Sequence, residues 1–384
     1  MKSKIWLSLA HMSGREQEFI QEAFDTNWVV PLGPNVNAFE ESLREYFVGN
    51  GESGKRVVAL SAGTAALHLG LILLGVQSGD EVICQSFTFA ASANPITYLE
   101  ATPVFVDSEK ETWNMDPVLL EEAIKDRLEK TRRLPKAIIP VHLYGMPGKL
   151  DEILEVAKRY DIPVLEDAAE ALGSEYKGKK CGIFGEYAAL SFNGNKMITT
   201  SGGGALVCRT EEQAKRTMFY ATQARENAPH YQHECIGYNY RMSNICAGIG
   251  RGQMFVLDEH IARRRAIHQL YTELLKDAPG IEVQQNPSED FNSNFWLTCI
   301  LIDPEKAEFT REDVRLYLAD ENIETRPLWK PMHLQPVFKQ SPFYGDGTSE
   351  RLFERGLCLP SGPTLTDDDI CRVVETMLSL SSPR

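Results

Sequence analysis

Long apolar runs, paired cysteines and an excess of basic residues are all missing from this chain of 384 residues. No uninterrupted apolar stretch approaches the roughly 20 residues that span a bilayer. The opening "MKSKIWLSLAHMSGREQ" turns charged too soon to act as a secretory signal. A cytoplasmic protein with no membrane partner is expected. The eight cysteines include neither a CxxC pair nor a His/Cys ligand spacing. Cys84, Cys208 and Cys299 lie in strand-like apolar runs, so reduced core thiols are expected rather than disulfides or a metal site. Lys and Arg number 40 against 54 Asp and Glu, a formal charge of −14, which argues against nonspecific nucleic-acid binding. The small-residue turn "SAGTAALHLG" is neither a GxxxxGK[ST] loop nor a GxGxxG fingerprint. An anionic ligand must therefore be met by a confined local set of donors.

What is present is an alternation of short apolar runs and amphipathic stretches. "RVVAL", "GDEVICQ", "ATPVFVD", "KAIIPVHLYG" and "IPVLEDAAEALG" read as strands. "GTAALHLGLILLGV", "PVLLEEAIKDRLEK" and "KLDEILEVAKRY" read as the helices between them. Such repetition predicts an α/β fold with a mostly parallel central sheet covered on both faces, and functional groups on loops at the carboxyl ends of its strands. "GRGQMFVLDEHIARRRAIHQLYTELLKD" is expected to be one long helix. After it the pattern changes, predicting a large unit over residues 1–259 and a smaller α+β unit over 260–384. The first forty residues read as a helix followed by an irregular arm, "NWVVPLGP".

Four motifs carry chemistry. In "SAGTAALHLG", Gly63 and Thr64 open a helix, where free amides and the dipole favour a phosphate; Thr64 also qualifies as a simple helix cap. In "QSFTFAASANPI", Phe87 and Phe89 end a strand and serve either core packing or stacking on a planar ligand. In "IPVLEDAAEALG", Glu166 and Asp167 end a buried strand, where a carboxylate needs a partner or a helix to cap. In "SFNGNKMITTSGGGALV", Lys196 has no charged neighbour from Leu190 to Cys208, and Gly202, Gly203 and Gly204 permit close backbone approach. Phosphate cup, aromatic, strand-end aspartate and isolated lysine, in that order, are what pyridoxal phosphate needs. The lysine bonds the aldehyde as a Schiff base, the aspartate keeps the pyridine nitrogen protonated, and desolvation favours the free amine. Ser191 and Asn193 are candidates for the phosphate.

The ordered strings "GT", "SFTF", "EDAAE", "SFNGNK" and "GYNYRMSN" resemble the DegT/DnrJ/EryC1/StrS sugar aminotransferases, within PLP fold type I, over essentially the whole chain. "QAREN", "HYQH" and "ETRPLWKPMHLQPVF" resemble a narrower branch, the enzymes that aminate UDP-4-keto-6-deoxy-N-acetylglucosamine on the way to bacillosamine-type sugars. The resemblance implies Lys196 and Asp167 as catalytic residues, with Gly63, Thr64, Phe89, Glu170 and Ser191 also around the cofactor and Phe87 behind Phe89. It implies that Asn239 reaches the cofactor phosphate of a neighbouring subunit in a homodimer, with Arg241 holding that loop. It implies nucleotide-sugar contacts from Asn27, Trp28, Val29 and Val30 and from Arg326, Trp329, Lys330 and His333; Arg225, His230 and Tyr231 are further candidates. The implied reaction moves an amino group from L-glutamate to C4 of the keto sugar. A dTDP- or GDP-linked sugar is the alternative. A PLP-dependent sugar dehydratase is disfavoured by Lys196, where those enzymes carry histidine, and a regulatory protein by the lack of a DNA-binding helix pair or basic arm.

Overall fold

The computed structural model describes residues 3–48 and 54–381. Strands form where the apolar runs predict them: Arg56–Leu60, Glu81–Gln85, Thr102–Val106, Ala137–Ile139 and Leu165–Asp167. Each is buried over nearly its whole length, as a strand covered on both faces must be. Glu81–Gln85 pairs in parallel with Thr102–Val106 and with Ala137–Ile139, and Leu165–Asp167 pairs in parallel with Tyr187–Ser191. Parallel bridges at Ile138–Val164 and Val141–Asp167 join these pieces into one sheet. Gly204–Cys208 is the antiparallel exception, inserted between Tyr187–Ser191 and Arg56–Leu60. The expected α/β architecture with a mostly parallel sheet is observed.

A second, antiparallel sheet is built from Ile281–Val283, Thr298–Ile302, Arg326–Pro327 and Gly356–Leu359. Ile267, Tyr271, Val314, Leu318, Ile370 and Val373 share one buried core with it. Ile5 belongs to that core too and bridges Ile323. The amino-terminal residues are thus carried against the carboxyl-terminal part of the chain.

The expected long helix is two, Asn244–Met254 and Leu257–Leu275, parted at Phe255 and Val256. The first packs so tightly that a Cβ on Gly250 would lie 2.8 Å from the Phe39 ring and one on Gly252 2.8 Å from the Glu16 backbone. The second turns Ile267, Tyr271 and Leu275 into the core of the second sheet. One straight rod does not follow both surfaces.

Helix Gly63–Leu73 is apolar on every side, and residues 65–71 are all buried, the expected fate of a helix without a polar face. Gly204 crosses its start so closely that a Cβ would lie 2.3 Å from the Gly63 nitrogen and 2.4 Å from the Ala62 carbonyl carbon. Backbone cannot move aside as a side chain can. Gly204→Ala is therefore expected to lose about 1–3 kcal/mol through overpacking. Gly194→Ala, where a Cβ meets nothing within 4 Å, is expected to stay within about 0.5 kcal/mol. Urea unfolding of the two variants checks the contrast, and equal stabilities would refute it.

Candidate active site

Strand Arg56–Leu60 feeds helix Gly63–Leu73 through Ser61 and Ala62. The N-cap residue is Ala62, and no side chain caps the helix. Thr64 lies inside the helix, so the capping reading of its hydroxyl is not realised. The uncapped turn opens onto a cavity of about 560 Å³, lined there by Gly63, Thr64, Ser191, Asn193, Gly202 and Gly203. A Cβ on Gly203 would lie 2.1 Å from the Thr200 hydroxyl, and one on Gly63 3.0 Å from Ser191 Cβ. At Gly63 and Gly203 the wall is bare backbone because there is no room for more, whereas a Cβ on Gly202 would meet nothing within 4 Å.

The alternation of a strand separates the two acids of "LED". Glu166 turns away from the cavity and is fully buried; it accepts from the backbone N–H groups of Gly182, Phe184 and Gly185 and lies 3.0 Å from His142 Nε2. Burial raises its pKa, but His142 and the amides outweigh that and hold it below the ordinary value. Asp167 faces the cavity. Burial pushes its carboxyl above the usual range, opposed by the Ser92 hydroxyl (2.6 Å), the Ala169 N–H (3.2 Å) and the Lys196 charge. Ser92 is itself 2.6 Å from the Thr88 hydroxyl.

Lys196 is held in a tight turn, its N–H donating to the Asn193 carbonyl at 3.0 Å. Its side chain is only 12% exposed. Lys196 has no charged neighbour in its own stretch of sequence, and its charged partner comes from another strand end: Nζ lies 3.2 Å from Glu170 Oε1 and 4.0 Å from the centre of the Trp296 ring. The other oxygen of Glu170 accepts from the Tyr144 N–H at 2.7 Å. Burial still pushes Glu170 up to about 7; Lys196 and that N–H pull it down, and Asp167 adds to the rise.

The two phenylalanines part company, because their strand ends at Gln85. Phe87 enters the core with Trp113 and Tyr144, while Phe89 is 56% exposed in the cavity wall, 5.4 Å from the Trp329 ring. Arg326 lines the mouth, with Nη2 2.8 Å from Glu324 Oε1. Trp329 lines the cavity as well, and the other expected contact residues lie outside it. Lys330 is exposed. His333 sits between Ser86 (2.7 Å) and Glu350 (3.2 Å), stacked on Phe343. Asn27, Trp28, Val29 and Val30 are exposed, as are Asn239 and His230. Arg225 stacks on the exposed Tyr231 ring at 4.2 Å. Arg241 is buried and donates to the Ala59 carbonyl at 2.8 Å. Sequence reading missed Trp296, Tyr144, Ser92 and Ser8. The clue to Trp296 was its place at the head of "WLTCILID"; the other three left none.

The donor set matches pyridoxal phosphate. An uncapped helix start among crowded glycines suits a phosphate at one end. At the other, two buried carboxylates face a single lysine, which leaves one free to pair with a protonated ring nitrogen. These features define a PLP-dependent aminotransferase. Residues 11–378 match the DegT/DnrJ/EryC1/StrS aminotransferase family, and the chain belongs to it. It is 50% identical over 384 residues to EpsN of Bacillus subtilis (strain 168), covering 99% of this chain and 96% of EpsN. It is 37% identical over 366 residues to GDP-perosamine synthase of Escherichia coli O157:H7, covering 95% of each. A crystal structure of a family aminotransferase from Brucella abortus superposes with TM-score 0.88 at 29% identity, covering 96% of both chains. Fold type I and pyridoxal phosphate as cofactor follow.

The Glu170 shift has a consequence for stability. Between its ordinary value of 4.5 and about 7, the folded cofactor-free protein keeps a proton that the unfolded chain releases. Its contribution to stability is therefore present at low pH and is lost as pH rises through about 7. Glu170→Gln is expected to flatten this part of the fall in melting temperature between pH 5 and pH 8. Parallel pH profiles for the two cofactor-free proteins would contradict the assignment.

Proposed function

We propose that this aminotransferase moves an amino group from L-glutamate to C4 of a nucleotide-linked 4-keto-6-deoxy sugar, UDP-4-keto-6-deoxy-N-acetylglucosamine being the favoured substrate. The observation that carries the chemistry is the convergence of the Lys196 amine, the Asp167 carboxylate and the uncapped helix start at Gly63 on one cavity. The UDP-linked substrate is supported by the strings "QAREN", "HYQH" and "ETRPLWKPMHLQPVF". A GDP-linked sugar is the second reading, favoured by the likeness to GDP-perosamine synthase.

Pyridoxal phosphate, when bound, supplies an aldehyde for the amine and a cationic ring that draws electron density from the reacting carbon. Gly63, Thr64 and Ser191 would hold its phosphate, Asp167 its ring nitrogen, and Phe89 one face of the ring. Lys196 would remove the proton from the donor carbon in one half-reaction and deliver a proton to C4 of the sugar in the other, and its burial keeps competing water away. Glu170, near neutrality, is suited to orient that amine in either charge state. Arg326 and Trp329 receive the nucleotide sugar at the mouth. Asn27 to Val30, Arg225, Tyr231, Lys330, His333 and Asn239 lie outside the cavity of their own subunit. We place the Asn27–Val30 and Asn239 segments at the cavity of a second subunit in a homodimer.

Lys196→Ala is expected to abolish the yellow absorption of the cofactor-bound protein and its bleaching by borohydride, and to lower kcat by about 10²- to 10⁴-fold from lost proton transfer alone. An unchanged turnover would remove the mechanism. Borohydride trapping with UDP- and GDP-linked keto sugars, followed by mass spectrometry, decides between the two substrates.

A further inference from the structure

Helix Leu257–Leu275 turns a buried guanidinium toward the back of the lysine turn. Arg264 is 1% exposed, and no carboxylate pairs with it among the described residues. A buried charge without an ion partner is costly unless hydrogen bonds compensate its lost hydration. Arg264 Nη2 donates to the Ser8 hydroxyl at 3.0 Å, and Nη1 donates to the carbonyls of Trp296 and of Ser361. A serine hydroxyl has a single proton. With Arg264 donating into its oxygen, Ser8 directs that proton to the Asn195 carbonyl, 3.0 Å away. The same carbonyl receives the Trp296 indole N–H at 2.7 Å. Asn195 immediately precedes Lys196, whose amine lies over the face of that indole. Ser8 and Trp296 both line the cavity. Two donors therefore pin the turn, and the ring of one of them, Trp296, lies against the amine.

We propose that Ser8, oriented by Arg264, and Trp296 are positioning residues that fix the Lys196 amine against Glu170. This rests on the reading of Lys196 as the reactive amine. Ser8 comes from the amino-terminal strap beside Ile5, which bridges Ile323, and Trp296 leads into strand Thr298–Ile302. The set of the amine therefore depends on parts of the chain far from residue 196 in sequence. A strap that loosens releases the amine without altering any residue that meets the cofactor phosphate.

Trace acetylation of the cofactor-free protein with acetic anhydride, quantified by mass spectrometry over a pH series, tests this. Exposed Lys330 is the internal reference. Ser8→Ala and Trp296→Phe each remove one donor to Asn195. Each is expected to raise Lys196 labelling relative to Lys330 by about two- to tenfold, the range for one lost hydrogen bond of ordinary net strength. Ser8→Thr, which keeps the hydroxyl, restores the wild-type rate. In the holoenzyme the same two variants lower kcat by a similar factor, and Ser8→Thr restores it. Wild-type labelling in both Ser8→Ala and Trp296→Phe overturns the proposal, as does failure of Ser8→Thr to restore it. If instead the wild-type protein shows no cofactor absorption that borohydride bleaches, the proposed function fails while the labelling result stands.

Discussion

Asp167, Glu170 and Lys196 share one largely buried wall, and only one of the three is a basic residue. Burying a carboxylate without compensation costs several kcal/mol. The surrounding structure is organised around that cost. Asp167 is met by a serine hydroxyl and a backbone N–H. Glu170 is met by a lysine and a backbone N–H, yet burial still outweighs both and leaves it poised near neutrality. The excess of negative charge makes this wall a receptor for a cationic ring. The uncapped helix start across the cavity is its counterpart for an anion. A cofactor with a phosphate at one end and a pyridinium at the other completes both halves.

Close packing of backbone on backbone delivers these groups. Gly204 lies against the turn at Ala62 and Gly63 with no space for a Cβ, while Gly203 is crowded by the Thr200 and Met242 side chains. The single antiparallel strand of the main sheet thereby seats the lysine turn beside the helix start. The end of strand Leu165–Asp167, which pairs with Tyr187–Ser191, supplies the carboxylate, in the position that parallel sheets reserve for function at their carboxyl edges. Glu166, one residue earlier, anchors the 182–185 backbone and His142 on the opposite face. Alternation along three residues therefore divides structural from chemical work.

Much of the fold was legible from the sequence, for identifiable reasons. Strands such as "RVVAL" and "GDEVICQ" are continuous apolar runs because both their faces are covered, and helix 63–73 announces its burial by lacking a polar side. The break at Phe255 was not legible. The pattern stays helical through it, and only the divergence of two cores requires it. The different fates of Phe87 and Phe89 were left open by the sequence, because whether they share a face depends on the strand continuing, and it ends two residues before Phe87.

What the sequence by itself determined is the list of chemical parts and their order: a small-residue helix start, a strand-end Asp167, an isolated Lys196 and a glycine run behind it. Those are set by residue type and by neighbours within a few positions, which a linear string records. Only the tertiary structure decided that Lys196 meets Glu170 and Trp296 rather than standing alone, that Ser8 and Arg264 reach the same turn, and that His333 is tied to Ser86 outside the cavity. Such contacts join residues far apart in the chain. No local periodicity encodes them, because they exist only once two separate sheets are packed around one cavity.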